Sequence, residues 1–184
     1  MVTVLLCGSE KQAEMINVLL AAIHALKASS LYITARTVSL LPPDANHADF
    51  ILIDNANIHD IHTDKGIVLF EREITGYTEI DLPENFIAIV EPDNSKAIDI
   101  LKKKSLRTVT CGLSQRDTLT YSSIETERAV ISLQREIKTL GSNSILPREI
   151  PVNFRSSYGD YQLLAAVAVL LLSDMPIPED GLTL

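Results

Sequence analysis

The turn Cys7-Gly8-Ser9-Glu10-Lys11-Gln12-Ala13 holds the residues of this chain best suited to chemistry. It separates a short apolar run, Val2 to Cys7, from a longer one ending near Leu26. That is the layout of a loop that wraps a phosphate. Such a loop uses glycines so that backbone N–H groups can close on the anion, a Lys for the β/γ oxygens, and a neighbouring Ser or Thr for Mg²⁺. Gly8 and Lys11 answer to the pattern, but the glycine before the lysine is missing and Gln12 stands where the hydroxyl belongs. Glu10 adds a negative charge inside the cradle, where it repels phosphate. The loop reads as degenerate for phosphoryl transfer, which depends on positioning and charge neutralisation. A residual phosphate or nucleotide site would consist of Gly8, Ser9 and Lys11, joined by Asn55 from a later strand end. The competing reading of Lys11 is a solvated first-turn residue.

Other groups are weaker. His59 and His62 with Asp54 and Asp60 have the spacing of two imidazoles on one helical face, yet a tetrahedral cation site needs further ligands. They read as a polar loop, and no metal site is assigned. Asp54 at a strand end suggests a phospho-acceptor, but a receiver domain has an acidic pair after its first strand, and here that strand runs into Cys7-Gly8-Ser9. Cys7 and Cys111, each closing an apolar run, read as buried reduced thiols. Nearness to a helix start keeps a reactive Cys7 as the alternative. Asp117, Thr118 and Thr120 shape the start of a hairpin. No catalytic residue is assigned.

The elements that position these residues follow from apolar spacing. Val2 to Cys7 is continuous rather than alternating, as in a strand covered on both faces of a parallel sheet. Ser9 and Gln12 form a capping box for a helix with Ile16, Leu19, Leu20, Ile23 and Leu26 inward. Tyr32 to Leu40, Phe50 to Asp54, Gly66 to Phe70, Phe86 to Val90 and Arg107 to Cys111 read as strands. Asn94-Ser95 starts a helix reaching about Lys104. Thr118 to Ile124 and Ala129 to Ile137 then alternate around a polar turn, an antiparallel hairpin. Ile145 to Phe154, interrupted by Pro147 and Pro151, reads as an edge strand, and Tyr158 to Ser173 as the closing helix. The expectation is one α/β domain over residues 1–184, with a mainly parallel sheet, helices on both faces, and a small antiparallel subsheet near the C-terminal end.

Composition narrows the partners. The net charge of −8 argues against nucleic acid, which calls for clustered Lys and Arg. The one basic run, Lys102-Lys103-Lys104, ends a helix, where cations offset the dipole. The apolar run Leu163 to Leu172 is half the length of a membrane span, and the first residues lack the basic start of a signal peptide. These features predict a cytoplasmic protein without a membrane or nucleic-acid role. The oligomeric state is not legible.

Three stretches resemble the ATP-binding central domain of the Mur ligase family, the peptidoglycan-precursor amino-acid ligases. Phe86 to Asn94 is similar to that family's strand ending in an Asn/Asp-rich turn, and Thr108 to Thr120 to its strand–Gly–polar–Asp–strand segment. Tyr161 to Leu172 resembles its Asn-x-Leu-Ala-Ala helix, with Gln162 in place of Asn. The tail from Ser173 to Leu182 is similar to the family's exit sequence. The resemblance implies a P-loop-type central domain without its two flanking domains. The departures fall on functional positions: the Gly-Lys-Thr/Ser sequence is reduced to Lys11, and the interval from Lys27 to Asp49 offers no strand-end Glu for a metal. Asn55 to Asp60 loosely echoes the family's Asn-x-x-x-Asp-His segment. The expectation is a pseudoenzyme, a binding or assembly module that takes no cofactor and meets a protein partner or small ligand. The alternative is an ATP/Mg-dependent, ligase-like or phosphorylated-small-molecule-binding enzyme working with a partner that supplies the missing groups.

Overall fold

Buried apolar runs set the frame of the computed structural model, which describes residues 1–8, 13–55, 58–74 and 80–184. Ser9, Glu10, Lys11 and Gln12, with the expected capping box, lie outside the described residues. Those described fall into two compact units, Met1–Ala13 with Ala28–Thr108, and Glu14–Lys27 with Val109–Leu184.

The first strand, β1 (Val2–Cys7), is buried from Thr3 onward. The first helix, α1 (Ala13–Ala25), belongs from Glu14 on to the second unit and buries Met15, Ile16, Val18, Leu19, Ala22 and Ile23. The first unit continues with β2 (Ser30–Thr34), β3 (Val38–Leu41), β4 (Phe50–Asp54), β5 (Gly66–Phe70), β6 (Phe86–Val90) and α2 (Ser95–Lys102). β7 (Arg107–Thr110) leads into the second unit, and the sheet order is β3-β2-β4-β1-β5-β6-β7.

β1 is central rather than at an edge. It runs parallel to β4, from Val2↔Phe50 to Leu6↔Asp54, and to β5, from Val4↔Ile67 to Cys7↔Phe70. β2 is parallel to β4, and β5 to β6. The predicted mainly parallel sheet is therefore present. One expected strand, Tyr32 to Leu40, is instead a hairpin in which β2 and β3 pair antiparallel, Tyr32 opposite Ser39. The turn needs no glycine, because the Thr34 hydroxyl accepts the backbone N–H groups of Arg36 (3.2 Å) and Thr37 (2.9 Å).

On one face of this sheet Leu5, Cys7, Val68, Phe70, Phe86, Ala88 and Val90 form a core with Ala97 of α2, against which Ile100 and Leu101 pack. Period-two alternation turns Leu6 and Asp54 to the opposite face, together with the residues that follow Cys7 and Phe70.

The second unit holds β8 (Leu119–Ile124), β9 (Arg128–Leu133), β10 (Ile137–Lys138), β11 (Ser144–Ile145), β12 (Arg148–Asn153), α3 (Asp160–Leu172) and β13 (Leu182–Thr183). The antiparallel subsheet expected from the change of period has the order β13-β12-β9-β8, and β10 pairs with β11 alone. β12 is not an edge strand. β9 runs along its whole length, while β13 covers only Val152 and Asn153, beyond Pro151, so the N–H that proline lacks is not required there. α3 buries every residue from Tyr161 to Leu172, as a helix apolar on all sides must. It lies against β8, where the Tyr121 hydroxyl donates to the Asp160 carbonyl at 2.8 Å. Among the described residues no helix is long and apolar enough to cross a membrane.

Candidate functional site

Chain order jumps from one side of β1 to the other between β4 and β5. In open parallel sheets the crevice outside such a reversal is where ligands sit. β1 passes there into Gly8, β4 into Asn55 and β5 into Glu71. Gly8 and Asn55, two of the four expected phosphate-site residues, thus follow adjacent strands, with Leu6 level with Asp54. The Asn55 carbonyl accepts the Ile58 N–H at 3.2 Å. The other two, Ser9 and Lys11, lie outside the described residues.

Glu71 is the residue that the sequence reading missed. The sequence reading looked for a strand-end glutamate only between Lys27 and Asp49, where the β2–β3 hairpin lies; Glu71 follows β5 directly. Its backbone is held from two sides. The N–H donates to the Cys7 carbonyl at 2.9 Å, extending the β1–β5 pairing by one residue. The carbonyl accepts the Asn94 side-chain amide at 2.7 Å. Its side chain is only 4% exposed, and a Cβ built on Gly8 would stand 1.8 Å from Glu71 Oε2. Only glycine at position 8 leaves this carboxylate its place at the start of the loop. Sequence did carry a signal: the rule that flags residues after each buried run, applied to Gly66–Phe70, points at Glu71.

Asn94 does two jobs. Its side-chain oxygen accepts the Ala97 N–H at 3.0 Å and caps α2, while its amide nitrogen pins Glu71. Beside it Arg72 grips Glu91 with contacts of 2.7 to 3.0 Å, joining the ends of β5 and β6. The substitution Asn94→Ala removes a cap worth about 1 kcal/mol and leaves a carbonyl without its donor, so a loss of about 2 kcal/mol is expected in urea denaturation. An unchanged midpoint would mean that Asn94 holds neither group.

Cys7 is fully buried, and burial together with the Glu71 charge pushes its thiol well above the ordinary value. Burial, followed by the Asp117 charge, does the same for Cys111. The reactive-Cys7 alternative is corrected on this ground, since the thiolate is the nucleophile and neither site supports one. Iodoacetamide at neutral pH is expected to label neither thiol in the folded protein and both in guanidinium; rapid labelling of Cys7 without denaturant would contradict the burial.

The histidine cluster does not assemble. His62 Nε2 lies 3.0 Å from Asp60 on the surface, Asp54 accepts the Tyr32 hydroxyl at 2.9 Å, and among the described residues no three His, Cys, Asp or Glu gather as a cation cage. Asp117 accepts the Ser114 N–H at 3.0 Å, and Thr118 donates its N–H to the Thr110 hydroxyl at 2.9 Å, so both shape the approach to β8. In the second unit the buried Gln162 amide donates to Glu14 Oε2 at 3.3 Å. Its oxygen has no partner among the described residues.

No protein-family model matches the sequence, and a search of curated proteins finds no match. Solved structures do match in fold. A bifunctional folylpolyglutamate synthase/dihydrofolate synthase from Yersinia pestis, complexed with AMPPNP and an Mn ion, superposes with a TM-score of 0.58 at 11% identity, covering 97% of this chain and 55% of that one. MurF ligase from Thermotoga maritima in complex with ADP gives 0.55 at 12% identity, covering 96% and 46%. E. coli FolC in complex with DHPP and ADP gives 0.58 at 13% identity, covering 97% and 55%.

The fold is Mur-ligase-like. At these identities the likeness speaks for the fold alone, and the chain spans about half the length of the structures it matches. One expectation is overturned. The missing loop glycine and hydroxyl suggested a domain that takes no cofactor, yet neighbours of this fold hold AMPPNP with Mn, or ADP. Loop composition weighed those two positions and left Glu71 out of account.

Proposed function

We propose that this chain binds a nucleotide together with a divalent cation at the carboxyl ends of β1, β4 and β5. In that role it forms the nucleotide-holding part of a ligase-like reaction completed by groups supplied outside residues 1–184. The carrying observation is Glu71, a buried carboxylate fixed by its backbone on both sides and seated against Gly8.

The donor set fits a hard cation. Mg²⁺ and similar ions are commonly held by one or two carboxylates, with waters and the nucleotide's own phosphates completing the shell, so a protein cage of several acids is not required. Glu71 would supply the protein oxygen, and the lack of a Cβ on Gly8 leaves its carboxylate room at the strand end. When bound, the cation supplies charge neutralisation between carboxylate and phosphate. Glu71 would otherwise repel the phosphates. Binding on this reading depends strictly on the cation, and that requirement separates it from adventitious anion binding.

Titration calorimetry of the full chain with AMPPNP tests the reading. The expected result is binding in the micromolar range with Mg²⁺ or Mn²⁺ and none with EDTA. Absence of heat with either cation through the millimolar range would overturn it, and so would binding indifferent to EDTA.

A further inference from the structure

The tip of the β8–β9 hairpin, Glu125 to Arg128, is exposed throughout. Its backbone is nevertheless fixed. The Glu125 N–H donates to the Arg128 carbonyl at 2.7 Å, and the Phe154 N–H donates to the Glu127 carbonyl at 2.9 Å, which fastens the tip to the end of β12. Arg128 stands opposite Asn153, and Asn153 opposite Thr183. These three share the face of the subsheet turned away from the buried Ala129 and Val152. With Glu125, Glu127 and Arg155 they line a cavity of about 650 Å³.

Both carboxylates and both guanidiniums are exposed, and among the described residues none of the four enters an ion pair. Solvation accounts for each charge singly. It does not account for two acids and two bases gathered at one concave site without closing on one another. A small anion placed there meets the glutamates, and a small cation meets the arginines. A second copy of the same surface answers all four charges. A two-fold axis lays Glu125 and Glu127 of each copy against Arg128 and Arg155 of the other. Net charge points the same way. Two chains of −8 repel over most of their surfaces, whereas the four charges of this patch cancel.

We propose that the β8–β9 tip and the cavity beside it form a self-complementary interface through which two copies of this chain associate, joined by reciprocal Glu–Arg contacts. Exposed ion pairs contribute little one by one, so the association is weak, reversible and confined to low ionic strength. It does not rest on nucleotide binding, since none of these residues lies at the ends of β1, β4 or β5.

Sedimentation equilibrium of the full chain tests this. In low salt the weight-average mass is expected to rise from the monomer value toward twice that value between micromolar and millimolar protein. In about 0.5 M NaCl it is expected to return to the monomer value. Two charge-reversed variants decide the geometry, Arg128→Glu with Arg155→Glu, and Glu125→Arg with Glu127→Arg. Each is expected to stay folded by circular dichroism and to remain monomeric. Mixed in equal amounts, they are expected to associate roughly tenfold or more tighter than either does alone. Arg128→Gln with Arg155→Gln, which sets no like charges together, is expected to lose association as well and serves if a reversed variant does not fold. A monomer at every concentration, a dimer that persists in high salt or in either reversed variant, or a mixture that stays monomeric would each overturn the proposal. So would phosphate-induced NMR shifts at Arg128 and Arg155 in a chain that stays monomeric, the mark of a small-anion site. The calorimetry with AMPPNP is unaffected by these results, so the two readings fail separately.

Discussion

Glu71→Gln is expected to remove cation-dependent nucleotide binding while the protein stays folded. Glutamine keeps the shape that fills the space against Gly8, and Asn94 binds the Glu71 backbone carbonyl, which the substitution leaves in place. What disappears is the negative charge. A hard divalent cation needs an anionic oxygen, and an amide oxygen is a much poorer donor. The expected loss in apparent affinity for AMPPNP with Mg²⁺ is roughly a hundredfold. The urea midpoint reads stability separately from the loss of binding. A purely structural Glu71 would give the reverse pattern, with destabilisation and unchanged nucleotide affinity.

Leu164→Ala is expected to have the largest effect on stability. Leu164 is fully buried in α3, a helix with no solvent face between Tyr161 and Leu172. Truncation there loses the transfer free energy of the side chain and leaves a void with limited freedom to collapse, a cost of about 2–5 kcal/mol. Thermal unfolding should shift down on the order of 10 °C. Leu146→Ala is the control. That side chain is 67% exposed, and its removal is expected to change stability by less than about 0.5 kcal/mol. Equal effects at the two positions would mean that α3 is not the core element its burial indicates.

Much of the fold was legible because burial writes itself into sequence. Continuous runs such as Val2–Cys7 and Phe86–Val90 can only be strands covered on both faces, and the change to alternation after Thr118 announced the antiparallel subsheet. The hairpin within Tyr32–Leu40 was not legible. Its turn contains no Gly, Pro, Asn or Asp and is made by a threonine hydroxyl, a weaker signal than turn-reading relies on. The edge assignment of the 145–154 strand failed for a related reason. Pro151 excludes pairing only at its own nitrogen, and the short β13 joins one residue later. Gly8 and Asn55 follow β1 and β4, since residues after buried runs in a parallel sheet share one edge.

The central claim, that Glu71 holds a cation at the end of β5 for a nucleotide, is tested most directly by electron paramagnetic resonance of Mn²⁺ with AMPPNP. The wild-type chain is expected to deplete the free Mn²⁺ signal only when AMPPNP is present and beyond what the nucleotide chelates alone, and Glu71→Gln is expected to show no such excess. The same depletion in wild type and Glu71→Gln, or none in wild type, would contradict it.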